Sequence, residues 1–580
     1  MKWITDKNRK WWTLGVLCFT LLMIVLDGNV VNLAIPRILV DFNASISQIE
    51  WISNAYLLTF AILLIPLGRL GDEIGRKKVF ITGLIVFIIG SLLSGLAQDI
   101  NQLIFFRVIQ GVGGAAMMPA TLSLIAANFA KKERGIAMGL WGGVAGLSIV
   151  IGPILGGYLT DKGLGVAINS ALQITEFWRY VFFINLPIGI VASILAVLVI
   201  KESKDREKTH KYDFLGILLS AGAIFSLTFA FIEGQKYGWW HVNNALVLFG
   251  QKIQFGDISI VPVLFALAVI FGVFFYFHEK HFTKDPLVDL AMFKNRNYSV
   301  GTVATAILSF SMMGSFFLLP LFLQSVLGFP PIKTGQTLLP FAFTIMLVAP
   351  FAGRLSDKIG PKYIIVTGMT IMAIGSYFIG HFRVDTKISD LILPFIIMGI
   401  GMGLSQAPLT NITLLETPED EVGGASGVVT TARQIGAVMG IAILGAFLQT
   451  MIASNIKANI NEIKNLPQVA KDAIILETKN QGFSENRSKV ETQIQNQLKQ
   501  IQTQQIPTQT KDPTIVARLA AQQKALASQF VKIGKDIEYA IKSSFVTSIN
   551  NTFYISASIA LIGAFLALLF RNPSTKVAKK

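Results

Sequence analysis

The stretch GRLGDEIGRKKVFITG, residues 68–83, carries six charged side chains, and a near-copy, GRLSDKIGPKYIIVTG, begins at Gly353, 285 residues later. The chain around both copies is apolar: 52% of its 580 residues are hydrophobic, 14% are charged, and the mean hydropathy is +0.58. A soluble domain carries about 25% charged residues, so the composition places the chain in a membrane. One charged phrase written twice in such a chain predicts two related units.

Crossing a hydrocarbon core about 30 Å thick takes roughly 20 apolar residues as a helix. Runs of that kind lie near 11–34, 49–68, 79–97, 103–127, 136–160, 177–200, 213–234, 258–279, 297–325, 335–353, 363–381, 389–413, 424–450 and 551–570, which makes fourteen expected spans. The first follows a basic leader (Lys2, Lys7, Arg9, Lys10) but is too long for a cleaved signal and lacks a small-residue cleavage site. Cys18 is the single cysteine, which excludes an intramolecular disulfide and a cysteine-based metal site. No phosphate-binding, dinucleotide or metalloprotease motif is present, so neither an enzyme nor a metal or organic cofactor is expected.

Lysine and arginine in short loops are retained on the cytoplasmic side. With the N-terminus inside, the inner loops and tails hold 27 basic residues and the short outer loops 7, which predicts cytoplasmic termini. The net charge of +16 is therefore a topology signal spread over loops, with no basic domain for nucleic acid. Residues 451–550 carry 13 basic side chains and are nonetheless expected outside, since long loops cross regardless of charge. Leu519, Leu526, Phe530, Ile533, Ile537, Ile541 and Phe545 recur at helical spacing, as Ile456, Ile460, Ile463 and Leu466 do less regularly. Two helical arms around a turn near Pro507 and Pro513 are expected; a polar spacer is the alternative.

The charged copies fall after spans 2 and 10. Two six-span units would place them six spans apart, so the separation of eight implies two inserted spans. The expected organisation is a six-helix bundle in 1–200, a linker with two inserted helices in 201–290, a second six-helix bundle from 291–450 and 551–570, the outer loop 451–550 and a tail 571–580. Parallel repeats about an axis along the membrane normal are a transporter design with the substrate site at their interface.

Four segments carry a family resemblance. GRLGDEIGRKKV resembles the signature between spans 2 and 3 of the major facilitator superfamily, FRVIQGVGGAAMMPA from Phe106 its span 4 signature, and GLWGGVAGLSIVIGPILGGYL from Gly139 its span 5 antiporter signature. LDGNVVNLAIPRI from Leu26 is similar to the span 1 signature of the fourteen-span drug:proton antiporters of the EmrB/QacA type. The resemblance implies an all-α polytopic fold in a bacterial cytoplasmic membrane, exporting amphipathic compounds in exchange for protons, without a cofactor. Pro361 stands where the first copy has Arg76, so the two loops need not work alike.

Residue by residue, the expectations are these. Gly68, Gly71 and Gly75 permit close approach, and Asp72 and Arg76, four apart, can pair as a latch between the halves. Gly139, Gly143, Gly146, Gly152, Gly156 and Gly157 with Pro153 allow close helix packing. On the resemblance they also form a seam that limits proton leak. Asp27 is a carboxylate inside a span, and such groups mark ion paths. Arg107 falls at similar depth, giving an expected Asp27–Arg107 pair able to trade a proton for substrate. Arg433 is a second buried charge, with either a structural partner in Glu416 or Glu421 or a substrate role. Asn32, Asn54, Tyr56, Gln324, Gln406 and Asn411 are polar groups in apolar spans, and Asn54, Tyr56 and Gln406 are expected to share a pocket rich in Phe and Met. The scarcity of other mid-membrane carboxylates points to neutral, zwitterionic or anionic amphiphiles. A lipid or fatty-acid exporter on the same scaffold, with membrane lipids as partners, and an exporter whose outer loop docks an accessory protein remain the other readings.

Overall fold

The computed structural model describes residues 5–571 except 45, 161–176, 204–212, 249–250, 254–255, 419–420, 464–465, 467, 469–470, 473–474 and 476–512. In a membrane each backbone polar group must find its partner within its own segment, so the apolar runs become helices. The long helices in order are α1 (Asp6–Asp41), α2 (Ile46–Ile74), α3 (Arg76–Leu96), α4 (Ile100–Asn128), α5 (Lys131–Thr160), α6 (Asn185–Val199), α7 (Phe214–Tyr237), α8 (Ile260–Phe277), α9 (Arg296–Leu321), α10 (Pro331–Ile359), α11 (Pro361–Ile379), α12 (Ile388–Leu415), α13 (Val422–Asn461) and α14 (Pro513–Ala567). Among the described residues thirteen of these are long and apolar enough to cross a membrane, and α5 adds a further helix of 30 residues. A hairpin of β1 (Leu246–Leu248) and β2 (Gln251–Ile253), paired antiparallel with Val247 opposite Lys252, interrupts the helical chain between α7 and α8.

Local chemistry sets the helix starts. Asp99 accepts from the Asn101 and Gln102 amides at 2.9 Å and caps α4, and Asn295 caps α9 in the same way. Proline opens α10 and α11, where its missing N–H costs no helical bond. Gly75 and Gly360, at φ 117° and 91°, turn the chain sharply before α3 and α11.

Two apolar clusters belong chiefly to α1–α6, one built on Leu17, Phe80, Phe87 and Met117, the other on Val30, Leu103 and Phe182. A larger one, with Phe316, Phe341, Phe395 and Phe553, joins α9–α14. The α7–α8 pair lies against α2, where Leu58 packs with Phe229. Asn54 of α2 donates to Glu233 of α7 at 2.8 Å, and Gln449 of α13 donates to Gln235 of α7 at 2.8 Å. Helix α7 therefore ties the first group to the second along the seam between α2 and α13.

Helices α13 and α14, at 40 and 55 residues, far exceed the roughly 20 needed to cross. Their extensions pack on each other through Ile456, Ile460, Ile537, Phe545 and Ile549, with Asn459 donating to Ser544 at 2.8 Å and Asn455 to Ser548 at 2.9 Å. Pro513 opens α14, where proline is tolerated in a first helical turn; the expected turn before it lies outside the described residues. Pro507 and the side chains of Leu519, Leu526 and Phe530 lie outside the described residues.

Candidate functional site

Asp27 sits 21 residues into α1, and both it and Arg107, seven residues into α4, are fully buried. Arg107 Nη1 donates to Asp27 Oδ2 at 2.6 Å, while Asp27 Oδ1 accepts from Gln110 Nε2 at 2.8 Å and from Asn185 Nδ2 at 2.9 Å. Gln110 follows Arg107 by three residues and so shares its helix face; its Oε1 accepts from Arg107 Nη1 at 2.6 Å. Asn185 at the start of α6 also donates to Ser91 of α3 at 3.0 Å, and Ser91 donates to the Phe182 carbonyl at 2.8 Å. The Arg107 guanidinium donates to the Ile52 carbonyl at 3.2 Å and lies 4.3 Å from the Tyr56 ring centroid. A buried ion pair is expensive unless further hydrogen bonds reach it, and α1, α2, α4 and α6 bring such bonds to Asp27 and Arg107, with α3 holding Asn185 through Ser91. Changing the charge on Asp27 therefore perturbs five helices at once.

At the end of α2, Asp72 is buried and makes four contacts. Its Oδ1 accepts from Arg76 Nη2 at 2.9 Å, Arg76 Nε at 3.1 Å and the Gly423 amide at 2.9 Å; its Oδ2 accepts from the Gly424 amide at 2.8 Å. Glu421, the residue before α13, does not cap that helix with its side chain, so Asp72 caps it from another element. A carboxylate there also meets the positive end of the helix dipole. A methyl on Gly68 would stand 2.6 Å from the Gly423 carbonyl oxygen, and one on Gly75 would stand 2.6 Å from the Glu202 carboxyl group. The glycines thus let α2 reach α13, while Glu202 receives the Lys77 amide at 3.1 Å.

Helix α5 meets α10 of the other group through its small residues. A methyl on Gly139 would fall 2.5 Å from the Ala349 carbonyl oxygen, and one on Gly143 would fall 3.2 Å from Met346 Cα. Gly152 is buried in the same helix; the surroundings of Pro153, Gly156 and Gly157, and the side chain of Asn32 in α1, lie outside the described residues. Asp357, the counterpart of Asp72 in the second copy, sits against Gly135 in the first turns of α5 and accepts from the Gly135 amide.

The remaining polar residues are divided among separate places. Gln406 and Asn411 are buried in α12, and Arg433 of α13 donates to Thr410 at 3.0 Å. Asn411 faces Asp357 at 3.5 Å. The expected pocket of Asn54, Tyr56 and Gln406 is not assembled: Tyr56 lies under Arg107 and Asn54 is engaged by Glu233, whereas Gln406 is beside Gly142 of α5. Gln324 is exposed in the π-helical turn Phe322–Val326 that ends α9. Glu416 accepts from Asn295 at 2.7 Å and is not the partner of Arg433.

Sequence reading missed Gln110, Asn185, Ser91, Glu233 and Trp141. Gln110 was accessible as the third residue after Arg107, and Asn185 as an isolated amide in the apolar run 177–200. Trp141 and Ser91 carry no comparable signal. Among the described residues no group of three His, Cys, Asp or Glu side chains is placed to hold a metal ion.

Comparison with known proteins places this chain in a family. The family model for the Major Facilitator Superfamily matches residues 17–441. The tetracenomycin C resistance and export protein of Streptomyces glaucescens is 31% identical over 463 residues, covering 80% of this chain and 80% of that protein. The multidrug transporter protein MdtP of Bacillus subtilis is 32% identical over 429 residues, covering 73% and 72%. In fold, the chain is similar to the proton:xylose symporter XylE, with TM-score 0.51 at 14% identity, covering 76% of this chain and 88% of that one.

Proposed function

Because the chain belongs to the major facilitator superfamily, we propose that it is a fourteen-span proton-coupled exporter of amphipathic small molecules, working by alternating access between two six-helix halves. It is a multi-pass membrane transporter and not an enzyme, and its relatives make it a drug transporter. The basic loops then face the cytoplasm, together with both termini. The proposal that protons drive export rests on one observation, the fully buried Asp27 carboxylate with Arg107, Gln110 and Asn185 around it.

The mechanism follows from what those groups can do. A carboxyl that takes a proton becomes a donor and loses its charge, so the Arg107 guanidinium loses its counterion, and the new O–H confronts a group that is itself a donor: Arg107 Nη1 at Oδ2, or the amides of Gln110 and Asn185 at Oδ1. The network must then rearrange, and α1 and α4 move relative to α3 and α6. Asp72 of α2, against the start of α13, and Asp357 of α10, against the start of α5, hold the cytoplasmic ends of the halves together, so their release is the step that opens the inner side. One proton falling through 100 mV supplies about 2.3 kcal/mol, enough to concentrate an uncharged substrate about fifty-fold. Asn54, Tyr56, Gln406 and Arg433 belong to different contacts in this state, so the substrate pocket is proposed around Gln406 and Arg433, between the halves.

Asp27→Asn in proteoliposomes with an imposed pH gradient tests the coupling. Gradient-driven transport is expected to fall about tenfold or more, while substrate exchange without a gradient persists. Uphill transport at the wild-type rate would remove Asp27 from the coupling path.

A further inference from the structure

Arg433 is a cation that neither the proton network nor the latch uses. It stands eleven residues into α13, about 16 Å from the helix start at 1.5 Å per residue and so near the middle of a hydrocarbon core about 30 Å thick. Its only hydrogen bond among the described residues goes to the Thr410 hydroxyl, at 3.0 Å, and it lies 5.2 Å from the Trp141 ring centroid. Among the described residues no carboxylate lies within salt-bridge distance of it. A guanidinium carries five N–H donors, and among the described residues one hydrogen bond to Thr410 and the Trp141 ring are what the half-buried Arg433 meets, so most of its donors are left for another acceptor.

The surroundings are built on both halves. Trp141 of α5 is fully buried, and its ring is held by a hydrogen bond from Nε1 to Thr121 of α4 at 3.2 Å. Gln406 stands one turn before Thr410 on α12, and its buried Oε1 has no partner among the described residues. Gly142 faces the Gln406 side chain, where even a methyl would only reach ordinary contact at 3.6 Å. The Trp141 ring face offsets part of the cost of a cation at this depth but supplies no counter-charge.

We infer that Arg433, with Thr410, Gln406 and Trp141, is the recognition site for an anionic head group on the exported amphiphile, a carboxylate, sulfonate or phenolate attached to an apolar body. The inference rests on the exporter reading above and deepens it by naming the substrate class. An anion placed on the guanidinium fork gains charge-assisted, two-pronged hydrogen bonds, which an alcohol or an ammonium cannot form. Gln406, one helical turn before Thr410 on the same face of α12, accepts through Oε1 a hydroxyl or amide proton elsewhere on the same molecule. Because the four side chains come from both halves, an anion bound there bridges them and opposes their separation.

The test is equilibrium binding to the purified transporter in nanodiscs, at equal pH on both sides, of three pyrene probes of one shape: pyrenebutyrate, pyrenebutanol and pyrenebutylammonium. Wild type is expected to bind the carboxylate at least about tenfold more tightly than the alcohol, and the ammonium most weakly. In R433Q the carboxylate and alcohol Kd values come within about threefold of each other, while R433K keeps a reduced preference for the anion. Equal binding of carboxylate and alcohol by wild type overturns the inference without any variant, and so does a preference that survives in R433Q. No gradient enters the measurement, so a failure here leaves the Asp27 coupling test standing, and a failure there leaves this one standing.

Discussion

The two charged loops, 68–83 and 353–368, are copies in sequence and unequal in structure. Each ends a helix with an aspartate, turns through a glycine at positive φ, and delivers the aspartate to the first turns of a helix from the other group. Asp72 has four contacts from 2.8 to 3.1 Å, two of them from Arg76. Asp357 has the Gly135 amide and a long 3.5 Å approach from Asn411, and one of its oxygens, Oδ2, is buried without a partner among the described residues. The difference traces to one position. Arg76 begins α3, where a cation meets the positive end of the helix dipole and needs a carboxylate beside it; Pro361 begins α11 and brings no charge. Both copies deliver the aspartate to a helix of the other group, and among the described residues only the first adds an ion pair beside it, with Arg76 of its own group.

The largest effect that would break this comparison comes from Asp72→Ala. It leaves Arg76 buried without its carboxylate and two α13 amides uncapped, and breaking a buried pair from one side costs about 3–5 kcal/mol. Thermal unfolding in detergent should register that loss, with transport falling in parallel; a melting temperature within a degree of wild type would show the pair to be idle. Asp357→Ala is expected to cost less, about 1–2 kcal/mol, since it removes one backbone bond and no ion pair.

The glycines sharpen the comparison at smaller scale. Gly75→Ala should destabilise by about 1–2 kcal/mol, because its φ of 117° is strained for any side chain and its methyl meets Glu202. Gly360→Ala meets a φ of 91°, nearer the left-handed helical region than 117°, so its melting shift should be the smaller of the two. Pro361→Arg is the smallest and tests the cause directly. Restoring the cation should add at most about 1 kcal/mol, read in a double-mutant cycle with Asp357→Ala, and a null coupling would show that an arginine there does not recreate the first loop.

Legibility followed local signals. Apolar runs of span length marked the helices, because backbone polar groups in lipid leave no other open structure. The extra separation between the charged copies marked α7 and α8, although not that Glu233 and Gln235 tie α7 to both groups. In the candidate site, Asp27 and Arg107 stood out as charges in apolar spans. Gln110 and Asn185 complete their network from separate helices, and a neutral amide in a span does not announce its partner. Asn54 and Tyr56 were grouped with Gln406 on polarity alone, and the fold sends each to a different neighbour.

By itself, then, the sequence determined the class, the helices, the repeat and the residues too costly to bury without purpose, since each depends on composition or on spacing within one helix. Tertiary structure alone decided the pairings: that Asp72 caps α13, that Asp357 reaches α5, and that Arg433 faces Trp141 with no carboxylate among the described residues. Those contacts join positions up to 352 residues apart, and they form only where helix packing brings two faces together.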